Sequence, residues 1–132
     1  MRQLTGLSLT QPKNPGEKEL HRLGYSYTDI FHGLGNPQDN RALKQQMGPL
    51  VERGLSAVVQ TPGYRSLSTT AKKIVVDEVL QVIRSAALDG AKSTDKTLAT
   101  RLALKRVPRR VRELLAEMAQ DERRERSVER DD

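Results

Sequence analysis

Few residues in this chain are of types that perform chemistry, and their spacing limits what they can do. The two histidines, His21 and His32, stand eleven residues apart. No further ligand-type residues recur beside them at the spacings that hold a metal ion. Cysteine is absent, which removes disulfides and thiolate metal ligands. Asp77 and Glu78 are adjacent. On a helix such neighbours point to different sides rather than converging, so they are expected to form part of a solvated face. The stretch GLGNPQ lacks both the glycine spacing and the preceding strand of a phosphate-cradling loop. These residues imply a protein that is not an enzyme and uses no metal or cofactor.

The basic residues are more informative. Lys96, Arg101, Lys105, Arg106, Arg109, Arg110 and Arg112 fall in one acid-free segment. The chain has 23 basic and 17 acidic residues, so without these seven the remainder is close to neutral. The charge is therefore a patch, suited to an acidic protein surface or to DNA backbone phosphates without sequence specificity. Superficially, TLATRLALKRVPRRVRELL resembles a helix-turn-helix. That motif returns its apolar residues at fixed offsets. Counted from Ala99, those offsets meet Arg109 and Arg112, while Val111 and Leu114 arrive two residues late and Ala103 stands at the turn glycine. The segment reads better as an amphipathic helix over 94–118. Its apolar face, Leu98, Leu102, Val107, Val111, Leu114, Leu115 and Met118, packs at home or on a neighbour.

The elements that position these residues follow from composition and periodicity. A chain of 132 residues suggests one domain. Its hydrophobic content of 36% lies below the ~45–50% of typical globular domains. Tyr25, Tyr27, Tyr64 and Phe31 are its only aromatics, so the core is expected to be aliphatic and thin. Modest stability, or a partner that completes the core, should result. No apolar run approaches the ~20 residues of a membrane span. The N-terminal MRQLTGLSLTQPKNPG has no sustained apolar stretch of the signal-peptide kind, so a soluble, unsecreted protein is expected.

The predicted fold is all-α: a small helical bundle built on a helical hairpin, with an extended N-terminal arm and a charged C-terminal tail. Residues 1–15 form the arm, 16–118 the helical domain and 119–132 the tail, expected to be helical at its start and frayed later. A short helix starts at Pro15 and ends at Gly24. A strap then brings Tyr25, Tyr27, Ile30 and Phe31 to the core. The hairpin spans 39–90. Asp39 caps its first helix, whose stripe is Leu43, Met47, Leu50, Val51, Leu55, Val58 and Val59. Pro49, inside that stripe, predicts a kink or two helices, and Pro108 predicts the same later. A Pro-Gly turn follows, with Tyr64 packing its ring and pointing its hydroxyl outward. Ser68 caps the second helix, Leu67 staples against it, and Ala71, Ile74, Val75, Val79, Val82, Ile83 and Ala86 form its buried face. Gly90 is the expected left-handed stop, and Ser93 or Thr94 caps the last helix.

The order ELHRLG, a strap, then ALKQQMGPLVERGLSAVVQTPGYRSLSTTAKKIVVDEVLQVIRSAA resembles the C-terminal region of large bacteriophage virion-associated proteins. The matching positions are Leu20, Arg22, Leu23, Gly24, Pro62, Tyr64, Leu67, Lys72, Ile83, Arg84 and Ala87, with Ser68 at the cap. The resemblance spans roughly residues 17–90. It implies a virion structural or particle-internal protein, multi-copy or homo-oligomeric, that contacts other virion proteins and can touch packaged DNA. It would reside in the virion, and in the host cytoplasm during assembly. Two features depart from the pattern: in those proteins the region ends a long chain, and here a basic segment follows it. A free-standing virion protein and the relic of a split gene both fit. The alternative is a nucleic-acid-binding accessory protein using residues 96–112.

Overall fold

Helix α1 (Pro15–Arg22) shows how local sequence starts and stops an element. Asn14 Oδ1 accepts the Glu17 N–H at 2.9 Å, and Pro15 occupies the first turn, where its missing N–H costs nothing. At the other end, Tyr25 N–H donates to Leu20 O at 3.0 Å and Gly24 N–H to His21 O at 3.1 Å. This is a Schellman stop, and it needs the positive φ of 83° that Gly24 adopts. The computed structural model describes residues 9–31, 41–95 and 97–130. Within them the chain is all-α, with no strand: α1 is followed by α2 (Tyr27–Ile30), α3 (Arg41–Gln60), α4 (Thr69–Ala91) and α5 (Leu98–Arg130).

The strap delivers its residues to the core as expected. Ile30 is fully buried and Phe31 nearly so, while Tyr25 and Tyr27 pack against the core at its edge. One turn of helix, α2, lies inside the strap. Ser26 and Asp29 form a reciprocal capping box around it, a serine-x-x-aspartate signal visible in the sequence. Asp39, like His32, Lys96 and residues 1–8 of the arm, lies outside the described residues, as does the side chain of Leu43.

Residues 9–14 do not extend away as an arm. Leu9 is buried in the core. Its N–H donates to the Tyr27 hydroxyl at 3.1 Å, and its carbonyl accepts from His21 Nδ1–H at 2.8 Å. Burying one leucine and tethering both of its backbone groups outweighs the freedom of a polar arm. His21 thus serves as a tether.

α3 and α5 each run through their proline. Pro49 is exposed, as is Gln45, whose carbonyl loses its helical partner; Pro108 and Leu104 stand in the same relation on α5. Water can take the bond that each proline removes. The last helix also continues through the predicted tail to Arg130.

α4 packs on both α3 and α5, most extensively on α5, α3 and α5 also touch, and α1 packs on α3. Two partners widen its buried face to Val75, Val76, Val79, Leu80, Ile83, Ala86, Ala87 and Gly90. Ile74, expected inside, is 47% exposed, because the face centres on the 76/80/83/87 row as much as on 75/79/86. Gly90 is not a left-handed stop either. It is helical and buried, and a Cβ there would lie 2.6 Å from Ala99 Cβ and 2.9 Å from Ala99 N. The small Ala86, Ala87, Ala99 and Ala103 flank this crossing. The second left-handed glycine is Gly63 in the α3–α4 turn, with φ 92°.

Tyr64 follows that turn and is wholly buried, hydroxyl included. The hydroxyl approaches Glu19 but makes no hydrogen bond. Burial, then the Glu19 carboxylate, push the phenol well above its ordinary range. The outward-pointing hydroxyl expected from the sequence is corrected: an aliphatic core short of bulk takes the entire ring. An unpaired buried hydroxyl costs about 1–3 kcal/mol. Tyr64→Phe is therefore expected to raise stability by about 1 kcal/mol, read as a higher urea midpoint with an unchanged slope.

Candidate functional site

The basic segment lies on α5, and the structure brings its arginines against acids of this same chain. Asp95 starts the helix: its Oδ1 accepts the Thr97 N–H at 2.9 Å and the Thr97 hydroxyl at 2.8 Å. Those bonds, and then Arg101, hold the Asp95 carboxyl below its usual range. Asp95 also takes over the capping role expected of Ser93 or Thr94, because its carboxylate reaches the first free N–H as a turn acceptor. Arg101 pairs with Asp95. Arg106 reaches back to α4 and pairs with Asp89 at 2.9 Å. Arg109 pairs with Glu113 at 3.4 Å.

Arg110 is the hub. It lies 3.2 Å from Glu113, 3.3 Å from Glu78 on α4 and 3.9 Å from Glu117. Glu113 and then Glu78 hold its guanidinium charged, above its ordinary value. Of the described basic residues in the segment, Lys105 and Arg112 are exposed and form no ion pair. An open groove of about 590 Å³ runs between α4 and α5, bordered by Gln81, Ser85, Asp89, Arg106, Arg109 and Arg110. Its cations face its own anions. Three arginines meet two carboxylates, Asp89 and Glu113, around it, and Val82 lines it as well.

The uninterrupted α5 leaves no turn near Ala103, so the segment is not a helix-turn-helix. Asp77 is exposed and Glu78 half-buried, as a solvated face would have them, yet both hold partners. Asp77 accepts from the Tyr25 hydroxyl at 2.5 Å, while Glu78 turns to Arg110. Being adjacent, they clamp two different neighbours of α4, the strap and α5. Burial, then this bond and the charge of Asp77, raise the Tyr25 phenol well above its ordinary range. Glu78 and Asp89, eleven residues apart on α4, are the partners that sequence reading missed. Three helical turns separate them on one face, and that spacing was the available signal.

The residues carrying the resemblance form one framework. Leu20, Leu23, Ile83 and Ala87 are buried and Leu67 partly so. Gly24 stops α1, Pro62 and Gly63 turn the chain, and Ser68 Oγ accepts the Ala71 N–H at 3.1 Å. Lys72 holds its ammonium 5.6 Å from the centre of the Tyr64 ring. Arg22 pairs with Glu19. Arg84 donates to the carbonyls of Ile30 at 2.8 Å and Asp29 at 3.3 Å, closing the end of α2. Each of these positions serves the packing of residues 17–90.

No protein-family model, curated protein or solved structure matches this chain. No helix among the described residues is long and apolar enough to cross a membrane.

Proposed function

We propose that this chain is a non-enzymatic bacteriophage particle component that acts through protein contacts, in several copies and against other virion proteins. The observation that carries the reading is the state of the basic segment. Arg101, Arg106, Arg109 and Arg110 already hold carboxylates of this chain. A phosphate would exchange one anion for another there, and the net gain would be small. Helix α5, meanwhile, runs on past Met118, the last of its residues packed on the core. Residues 119–130 extend it by roughly 18 Å at 1.5 Å per residue, and residues 119–124 are exposed. A charged helix end of this kind suits a contact between subunits. The phage assignment itself draws on the resemblance, whose residues map onto one packed unit rather than onto scattered surface positions.

The nucleic-acid alternative makes a different prediction for salt. Each neutralised phosphate contributes about −0.9 to the slope of log affinity against log salt, so seven contacts would give about −6. Lys105 and Arg112 alone would give about −2. The expected outcome is a slope no steeper than that for duplex DNA, with Lys105→Glu plus Arg112→Glu leaving incorporation into particles within about twofold of the parent. A slope near −6 that this double substitution reduces by about 2 would favour the alternative.

A further inference from the structure

A second cluster of cations lies where the sequence gives no run of charge. A pocket of about 340 Å³ opens between α1, the end of α3, the turn after it and the start of α4. Lys18 and Arg22 reach it from α1, Arg65 from the turn and Lys72 from α4, and Glu19 is the acid among its lining residues. Glu19 is already engaged, since Arg22 Nε donates to its Oε1 at 2.7 Å and the same guanidinium pairs with it. Lys72 is held over the Tyr64 ring. Lys18 and Arg65 are exposed and form no ion pair among the described residues. Helix α1 and, about fifty residues later, the turn and start of α4 thus deliver four cations to one concavity, two of them held in place by other side chains.

Two physical arguments mark this cluster as incomplete without an anion. Four like charges around one small pocket repel one another, and a single carboxylate offsets only one of them. The pocket also borders the start of α4, where the helix dipole favours acids. α4 has no acid in its first turn and carries Lys72 and Lys73 just beyond it. On α5, by contrast, Arg101, Arg106, Arg109 and Arg110 each hold a carboxylate.

We propose that this pocket binds a phosphate group. Its formal excess of three positive charges matches a phosphate better than a carboxylate, for which one arginine would suffice. Arginine forks and lysine point charges together are the groups that grip phosphate oxygens. Such a phosphate can arrive free or as part of a nucleic-acid backbone, and the two sources are distinguishable.

The test is calorimetric titration of the full chain with inorganic pyrophosphate and, separately, with a short DNA duplex at low salt. The comparison variant is Lys18→Gln plus Arg65→Gln, which alters two exposed residues and spares the Arg22–Glu19 pair and the Lys72–Tyr64 contact. Lys105→Gln plus Arg112→Gln is the control on α5. Pyrophosphate binding that weakens about tenfold or more in the first variant and not in the control supports the site and assigns it a free phosphate. Duplex binding with the same pattern and no pyrophosphate binding supports the site and assigns it a backbone phosphate. Binding that survives the first variant unchanged overturns the proposal, as does the absence of binding to either ligand.

Discussion

Gly90→Ala is expected to destabilise the chain by about 2 kcal/mol, although helix propensity alone favours alanine over glycine by about 1 kcal/mol. The sign is set by the crossing of α4 and α5. A Cβ at position 90 meets Ala99 Cβ at 2.6 Å, Ala99 N at 2.9 Å and its Cα at 3.0 Å. Two of these atoms are backbone and cannot swing aside as a side-chain tip can, so the helices must separate. Overpacking of this kind costs about 1–3 kcal/mol and more when backbone must shift. Separation would also draw Arg106 from Asp89 and Arg110 from Glu78, since both pairs span the two helices. The variant should therefore combine a lower urea midpoint with a steeper salt dependence of duplex binding, as arginines are released. A Gly90→Ala chain more stable than the parent would contradict the close crossing.

Ile83→Ala is expected to cost about 3–4 kcal/mol. Ile83 is fully buried in α4, and its Cδ1 sits in the notch that Gly54 leaves on α3, 2.9 Å from where a Cβ on residue 54 would be. Truncation removes a complete aliphatic side chain from between helices that cannot close fully around the void. The pairing provides its own check. Gly54→Ala alone should destabilise, because it crowds the Ile83 tip. In the Ile83→Ala background it should be neutral or restore part of the loss, because its methyl enters vacated space. A favourable coupling between the two substitutions is the expected result of the double-mutant cycle. Strict additivity would mean that the residues do not share that notch.

The local signals were the most legible part of this sequence. Ser68, Pro15 and the three-four stripe of α3 name their helices because capping and periodicity act within a few residues. The strap aromatics reach the core for the same reason that they stand out, being the few large side chains available. What the sequence did not show depends on pairs far apart. Ile74 looks equivalent to Val75 until a second partner for α4 fixes which arc is covered. Gly90 looks like a helix stop until Ala99 is seen against it. The Tyr64 hydroxyl reads as a polar handle, yet the core takes all of it. The basic residues of 96–112 read as a bare patch because two of the acids that answer its arginines, Glu78 and Asp89, lie on another helix and the others flank the segment. The cluster of Lys18, Arg22, Arg65 and Lys72 has no sequence signature at all, since folding alone assembles it.

The role proposed for this chain is that of a particle component held in place by protein contacts. The direct measurement is mass spectrometry of purified phage particles from cells producing the protein, compared with the lysate that they came from. The chain is expected to copurify at stoichiometric, multi-copy abundance and to persist through a high-salt wash that strips phosphate-bound proteins. A chain abundant in the lysate and absent from the particles, or one released from them by salt alone, would contradict it.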